Sequence, residues 1–323
     1  MRPASLLTAA VALLALSAAC DPFGLPATRQ LESGAAAMLS PGNSYEIKGD
    51  YTTDGNRWTI DLQVAKPSLR HVLVTSSGQT VEAMIDGSDG YFRGAQFLAA
   101  HLAGNPLASS LIQAAGSAWW KDSTGLVPSL PDFTDGATFR STFLGTAVTQ
   151  RIDHQSVDGV DVDELSGARA DVYIASSSPN HLVRVHLKKG VIIDGIQDAD
   201  LHFSSAGRDF HIAAPTSVVD FSNFSTLPPI YTVITVDTSG CASPCVVSAK
   251  LKNLGGTAAA VGPSRVTFTM TDAASGRALG SCSAAVQSDV GYNSTTTVSC
   301  TLGAAATNAA MVTASVDNPG KGS

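Results

Sequence analysis

Charged residues are scarce in this chain, and neither sign is well represented. They make up 15% of the 323 residues, against 44% hydrophobic residues, and the formal net charge is −7. A chain with so little charge and so much apolar material can bury a core, which argues against disorder. The acidic balance disfavours nucleic acid and an anionic membrane face as electrostatic partners.

The sequence also lacks any apolar run of about 18 residues, the least that indicates a membrane-spanning helix. An apolar stretch of about eleven residues, within the range of a signal-peptide core, lies at Leu6–Leu16 behind Arg2. Small residues, Ser17-Ala18-Ala19, then lead into Cys20. Together these features resemble the lipobox of bacterial lipoproteins, although the usual leucine stands at Leu16, one place early.

That resemblance implies a signal peptide at residues 1–19 and a Cys20 that carries acyl chains such as palmitate. Residues 20–29 would then be a lipidated tether that holds the protein on the extracytoplasmic face of the cell membrane. Acyl chains contribute roughly 0.8 kcal/mol per buried methylene, enough for two or three of them to anchor a protein. The alternative is an ordinary secretory signal cleaved after Ala19, with Cys20 as a free thiol.

Motifs of catalysis and metal binding are missing. Neither G-x-S-x-G nor S-x-x-K occurs in a strand–turn–helix context, and H-E-x-x-H and paired C-x-x-C motifs do not occur. We therefore expect no enzyme, no cofactor and no metal site. An acidic cluster lacks the residue order of a calcium loop, and we interpret it as a hairpin whose side chains mostly face water: Asp158, Asp161, Asp163 and Glu164.

Only four cysteines follow Cys20, all toward the C-terminus: Cys241, Cys245, Cys282 and Cys300. An even number in an exported chain predicts two disulfides, and four cysteines allow three pairings. We favour a small loop closed by Cys241 and Cys245, and a bond between neighbouring strands through Cys282 and Cys300.

Residues 30–220 are predicted to form one domain, which begins with a helix at Gln30–Leu39. Period-two alternation, as in Arg57–Val64, predicts a series of strands separated by short turns, which favours an antiparallel meander. The last of these strands is predicted at Asp209–Ala213. Two segments predict helices, Ala95–Gly116 with a break at Gly104-Asn105-Pro106 and Ala137–Leu144. We expect a curved sheet with helices on its concave face, an α+β arrangement.

Residues 221–230 contain Pro228-Pro229 and are interpreted as a linker. Residues 231–316 are predicted to form an all-β sandwich of six short, evenly spaced strands, among them Tyr231–Asp237, Cys245–Asn253 and Thr295–Leu302. Residues 317–323 are polar and are predicted to be a flexible tail.

Several motifs of the first domain resemble one known group of lipoproteins. They include "DGYFRGAQFL" (Asp89–Leu98), "SAWWKDSTG" (Ser117–Gly125) and "DADLHFSSAGRDFHIAAP" (Asp198–Pro215). In this order they are similar to the LppX–LprG lipoproteins, which belong to the LolA/LolB-like lipid carriers. The resemblance implies a half-barrel around an apolar cavity for acyl chains of a lipid or lipoglycan. The residues expected to line or cover that cavity are Phe97, Leu98, Leu102, Leu107, Leu111, Ile112, Trp119 and Trp120.

The C-terminal segments "CVVSAKLKNLGGT" (Cys245–Thr257) and "STTTVSCTL" (Ser294–Leu302) resemble immunoglobulin-like modules of bacterial surface proteins. Such modules act as spacers or as contact surfaces, and this resemblance does not identify a protein partner.

Two functions follow from the sequence. The first is a membrane-anchored lipoprotein that binds or transfers lipid in an apolar cavity. The second is a non-enzymatic surface or structural lipoprotein whose sandwich makes protein contacts. The size of the cavity separates them, because an acyl site needs an apolar pocket of several hundred cubic ångströms, whereas a filled core contains almost no void.

Overall fold

The structure, a computed structural model, describes residues 25–65, 67–242, 244–303 and 310–321. The predicted signal peptide and the lipidated Cys20 lie outside the described residues. Within those ranges, no helix combines the length and the apolar character needed to cross a bilayer.

The described chain is mostly β-structure with few helices. Its α-helices are α1 (Thr28–Met38), α2 (Ala95–His101) and α3 (Ala108–Ala115). The strands described in the first part of the chain are β1 (Ser44–Thr53), β2 (Asn56–Ala65), β3 (Leu69–Ser76), β4 (Gln79–Asp86), β5 (Asp89–Arg93), β6 (Trp119–Ser123), β7 (Gln150–Val157), β8 (Val160–Ser166), β9 (Ala170–Ala175), β10 (Leu182–Leu187), β11 (Gln197–Ser204) and β12 (Val218–Val219). Those that follow are β13 (Tyr231–Asp237), β14 (Cys245–Asn253), β15 (Arg265–Asp272), β16 (Ala278–Ala285), β17 (Thr295–Leu302) and β18 (Ala310–Asp317).

The chain divides into two compact units. The first comprises the chain up to Pro67 together with Leu130–Phe210, and the second comprises Ser68–Ser129 and His211–Ser323. The segment predicted as a single half-barrel domain, residues 30–220, therefore contributes strands to both units.

In the first unit the strands follow the order β2-β1-β11-β10-β9-β8-β7, and every neighbouring pair is antiparallel. Alternation sets the buried face: Ile60, Leu62 and Val64 of β2 are at most 3% exposed, as the period-two pattern predicts. Helix α1 packs on β9 and β10. It approaches closely because Gly34 has no side chain; a Cβ there would lie 2.5 Å from the Pro179 carbonyl oxygen.

The predicted strand at Asp209–Ala213 is wrong, because the chain is irregular there. The predicted hairpin needs a free edge of β11 for the returning strand. Both edges of β11 are already used, one by β1 and the other by β10. The helix predicted at Ala137–Leu144 is reduced to one π-helical turn, Arg140–Leu144.

In the second unit, β3 to β6 form an antiparallel meander, and β12 adds to β6 in parallel. Helices α2 and α3 are separated at the predicted break, and α2 packs on β4.

The same unit contains a β-sandwich with sheets β13-β14-β17 and β16-β15-β18. Its core consists of inward-facing side chains of both sheets, among them Val247, Leu251, Val266 and Phe268, each with 0% exposure. The disulfides join Cys241 to Cys245 and Cys282 to Cys300, the pairing favoured from the sequence. The second bond connects β16 to β17 and so ties the two sheets together along one side.

The predicted linker and tail are both packed against neighbouring parts of the fold. In the linker, residues 221–230, the side chains of Leu227 and Ile230 are 0% and 2% exposed. The prediction of a flexible tail is wrong for residues 317–321. Asn318 is 4% exposed, and the Lys321 N–H donates to the Ala114 carbonyl at 2.9 Å. Tertiary partners far away in sequence, rather than local composition, fix these segments.

Candidate functional site

The residues predicted to line a cavity lie in the second unit, on α2, α3 and β6 and, for Leu102 and Leu107, in the connection between the two helices. Four of them are buried and pack into the core of that unit: Leu98, Leu111, Trp119 and Trp120. The other four are only partly buried: Phe97, Leu102, Leu107 and Ile112. The fold therefore brings the predicted residues together in one region of the second unit.

Rings of the chain itself surround Trp120. Phe92 lies 5.0 Å and Phe221 6.4 Å from the Trp120 ring, measured between centroids. Phe97 and His101 of α2 stack on it at 6.1 and 5.4 Å. Aromatic side chains of the chain itself thus pack around Trp120, one of the residues that the resemblance assigns to an acyl cavity.

Trp119 and Trp120 face opposite sides of β6, as expected for adjacent strand residues. The guanidinium of Arg93 lies 4.7 Å from the Trp119 ring centroid, a cation–π contact. Arg93 also donates to Glu82, through Nε at 3.0 Å and through Nη2. Partial burial by itself would raise the pKa of Glu82. Hydrogen bonds from Arg93 and His71 lower this pKa by a larger amount, so its net shift is downward.

One polar atom in the aromatic cluster has no partner. The indole Nε1 of Trp120 is buried and makes no hydrogen bond within the described structure. A buried donor without an acceptor costs about 1–3 kcal/mol. It also marks the point in this cluster where an acceptor brought by a ligand would be stabilised.

Helix α2, which covers Trp120, is short. It has seven residues, of which only Leu98 is fully buried. At its C-terminal end His101 Nε2 lies 2.9 Å from the Asp122 Oδ2 of β6. The contacts of α2 with the sheet beneath it are therefore few.

Helix α3 is held by the C-terminal segment. Besides the Lys321–Ala114 backbone bond, Gln113 Nε2 donates to Asp317 Oδ1 at 2.8 Å. The Lys321 ammonium donates to the Val218 carbonyl at 3.0 Å. These bonds connect the helix to the end of the sandwich, so α3 does not have the loose attachment of a mobile lid.

A cavity of about 300 Å³ lies in the first unit, away from the predicted residues. Its walls come from α1, the start of β1 and two turns, and include Met38, Pro179 and His181. This volume is at the lower limit for small-molecule pockets. The cavity contains none of the residues that the sequence assigned to an acyl site.

Within the part of the chain that the structure describes, the polar side chains form no cluster that could hold a metal ion. Among the described residues, no group of three or more histidine, cysteine or acidic side chains has the spacing of a metal site. The acidic cluster largely follows the prediction, but Asp163 is 0% exposed. Its Oδ1 accepts the His154 backbone N–H at 3.2 Å. The expectation that these side chains face water is therefore wrong for Asp163, because a bulge in β7 turns that amide toward it.

No protein-family model matches the chain, and no curated protein matches it. Similar solved structures include MucB in complex with MucA(peri), which is 13% identical with a TM-score of 0.28 and covers 90% of this chain and 94% of that chain. Another is the MucA/MucB complex of Pseudomonas aeruginosa, 14% identical with a TM-score of 0.27, covering 77% of this chain and 90% of that chain. At these TM-scores the likeness supports no conclusion about fold or function.

Proposed function

We propose that the chain is an exported, lipid-anchored protein without enzymatic activity, which makes protein contacts through its C-terminal sandwich. The observation that carries this proposal is the outer edge of β17. Among the described residues, this strand pairs with β14 on one side and with no strand on the other. It runs for eight residues, TTTVSCTL, without a charge, a proline or a bulge. Long, uncharged edges of this kind associate with other chains unless they are covered.

The rest of the molecule agrees with a contact module presented at a surface. Two disulfides in the sandwich suit an oxidising compartment outside the cytoplasm. The sequence features around Cys20 support an anchor on the extracytoplasmic face of the membrane. We also propose that the chain contains a LolA-like curved sheet and an immunoglobulin-like sandwich.

The packing of rings around Trp120 favours this function over lipid carriage. Phe92, Phe97 and Phe221 occupy the space around Trp120. An acyl site would instead require an apolar pocket of several hundred cubic ångströms.

Photo-crosslinking in the cells that produce the protein tests the proposal. A photoreactive residue at Thr297 of β17, or at Thr313 of β18, samples two different sides of the sandwich; both positions are exposed. We expect a covalent adduct with a protein from at least one sandwich position. The control carries the same residue at exposed Thr59 of β2. The absence of any sandwich-specific protein adduct would refute the proposed function.

The anchor is tested separately by the mass of the mature protein. Acylation at Cys20 predicts an N-terminal peptide that begins at Cys20 and carries acyl chains. A Cys20→Ala variant should be released from the membrane fraction. An unmodified N-terminus at residue 20 would support the secretory alternative.

A second candidate function is acyl binding beneath α2, and the unpartnered Trp120 Nε1 favours it. A carboxylate or an ester oxygen of a ligand that reached this buried N–H could accept its hydrogen bond. Hydrogen bonds to charged groups contribute about 1.5–3 kcal/mol. Palmitate titrated into the non-acylated Cys20→Ala protein should then bind at least about tenfold more weakly to Trp120→Phe.

The matched control is Trp119→Phe, because the Trp119 ring lies on the opposite, Arg93 side of the strand. Organic extraction of the same protein followed by mass spectrometry detects any lipid that co-purifies. If no stoichiometric lipid is found and palmitate does not bind, acyl carriage is excluded.

A further inference from the structure

We infer that the outer edge of β17 binds an extended peptide segment of a partner protein, which adds as a further strand beside β14 and β17. This inference rests on the proposed function, because it specifies what the sandwich contacts. Strand addition of this kind obtains its affinity from backbone hydrogen bonds and its specificity from alternate side chains.

The register identifies the backbone groups that face outward. Just before β17, the Asn253 N–H donates to the Ser294 carbonyl at 2.9 Å. Hydrogen-bonded and non-bonded pairs alternate along an antiparallel ladder. The pairs of Leu251 with Thr296 and of Ala249 with Val298 are therefore bonded to β14. The backbone groups directed at the free edge belong to the residues between them: Thr295, Thr297, Ser299 and Thr301.

No other backbone hydrogen bond of the described chain takes these outward groups. Four N–H and four C=O groups in a row, at the spacing of a strand, match the backbone of another extended chain. A helix or a loop presents no such row, since its backbone groups are directed elsewhere. The chemistry of the edge thus specifies an extended peptide.

Two other outer strands of the sandwich are protected by bulges, and β17 is not. Strand β13 carries a bulge at Ile234. Strand β16 carries one between the two residues that pair with Met270 and Thr271. Such bulges twist an edge away from further pairing. The end of β18 is tied to β13 by Asn318, which bonds both backbone groups of Tyr231.

A groove beside the edge accounts for side-chain specificity. It measures about 220 Å³ and lies between β16 and β17, with Ala284, Gln287, Ser288 and Thr296 among its lining residues. Alternate side chains of an added strand point to one face. Those on the inner face would enter this small groove, so we expect small residues at every second position of the bound peptide.

Charge distinguishes a partner from a second copy. Each chain carries a net charge of −7, and like-charged copies repel each other. The outer face next to the edge instead carries Lys250 and Lys252, opposite Thr297 and Thr295. Neutral or acidic residues at the outward positions of the peptide complement these lysines.

The test uses the full chain and a library of linear peptides long enough to span the eight residues of β17. Selected peptides should carry small residues at every second position. Binding should fall at least about tenfold in Thr297→Pro, which removes one outward N–H and places a ring at the free edge, where proline is tolerated structurally. The matched control Thr297→Val keeps the N–H and should bind like the parent chain.

A second measurement does not depend on folding of the proline variant. Methylating alternate backbone amides of the selected peptide should abolish binding for one set of amides and spare the other, because only one set faces β17. Equal effects of both sets, equal binding to Thr297→Pro, or failure to select any peptide would overturn the inference. A concentration-dependent dimer that Thr297→Pro abolishes would overturn it in favour of self-pairing.

The failures of the two proposals are distinguishable. Protein adducts from Thr313 without any from Thr297 would keep the proposed function and exclude the β17 edge. Adducts from neither position would exclude both.

Discussion

The side-chain amide of Asn318 makes the two hydrogen bonds that a neighbouring strand would offer to Tyr231. Its Oδ1 accepts the Tyr231 N–H at 2.9 Å, and its Nδ2 donates to the Tyr231 carbonyl at 3.0 Å. Ser264 donates its hydroxyl to the same Oδ1 at 3.2 Å. Because Tyr231 begins β13 and Asn318 directly follows β18, one side chain joins the two sheets of the sandwich.

Replacing this side chain should destabilise the sandwich. Asn318→Ala leaves the buried Tyr231 backbone groups without partners, at a cost of about 1–3 kcal/mol. Urea unfolding of the parent chain and the variant measures the difference. The exposed neighbour serves as a control, and Asp317→Asn should change the free energy of unfolding by less than about 0.5 kcal/mol. Equal stability of parent and Asn318→Ala would contradict the buried network.

Docking of the C-terminal segment on α3 depends on Gly320. A Cβ there would lie 1.9 Å from the Gln113 carbonyl oxygen. We expect Gly320→Ala to displace the segment and to speed hydrogen exchange at the Lys321 amide, which donates to Ala114. Gly262 is the matched control, since a Cβ there meets nothing within 4 Å. Unchanged exchange at Lys321 in Gly320→Ala would mean that the segment is not held at this point.

The two disulfides should differ in their contribution to stability. Cys282 and Cys300 are 18 residues apart, whereas Cys241 and Cys245 are 4 apart. Loop-closure entropy predicts a loss of roughly 3 kcal/mol for the double alanine variant of the first pair, and roughly 2 kcal/mol for the second. Denaturant unfolding of both double variants measures which loss of stability is larger. A larger loss from the short loop would show that the bond between the sheets is not the main constraint.

Acid should lower the folding stability of the first unit because it protonates Asp200. Arg184 donates to both carboxylate oxygens of Asp200, each at 2.6 Å. Partial burial by itself would raise the pKa of Asp200. Arg184, His186 and His202 together lower this pKa by a larger amount, so it lies below its usual 3.8. A lowered pKa contributes stability that is present above the usual value and is lost as the pH falls through the lowered one.

Asp200→Asn should therefore be less stable than the parent at pH 7, and its stability should fall less steeply in acid. Urea unfolding between pH 7 and pH 2 measures both effects. Asp50→Asn is the control, because the Asp50–Arg57 pair is more exposed and contributes little. Parallel acid profiles of parent and Asp200→Asn would contradict the role of this ion pair.

Strands were predictable from the sequence where alternation is strong. The predicted Tyr231–Asp237, Cys245–Asn253 and Thr295–Leu302 match β13, β14 and β17 in full. Of these, β14 and β17 alternate more and less buried positions along their length, as the period-two pattern predicts. The strand predicted at Asp209–Ala213 failed because alternation does not reveal whether a free edge is left to pair with.

The packed tail could not be predicted for a related reason. Locally, Asp317-Asn318-Pro319-Gly320 has the composition of a turn or a frayed end. Its burial depends on Tyr231, 87 residues earlier, and on the carbonyl of Ala114. Contacts between residues so far apart in the sequence leave no periodic signal in it.

The candidate site was predicted in part. Apolar character identified Trp120 and its neighbours on α2 as one buried cluster, which the ring contacts of Phe97 support. Composition did not reveal that these rings fill the space between them, because packing density depends on how side chains from distant segments, such as Phe221, fit together. The edge of β17 has a simple signal, an uncharged threonine-rich strand, but only the sheet order shows it to be an edge.

The pairing of β1 with β11 has a consequence for how the protein is made. Ile47 of β1 lies opposite Phe203 of β11. During synthesis β1 therefore cannot form this pairing until about 150 further residues have been added. At roughly 5–20 residues per second this interval is on the order of ten to thirty seconds. During that time one side of β1 is an open template for the wrong strand. Unit 1 should consequently fold late and slowly, and premature release of a nascent chain before residue 204 should yield aggregates rather than a smaller folded domain.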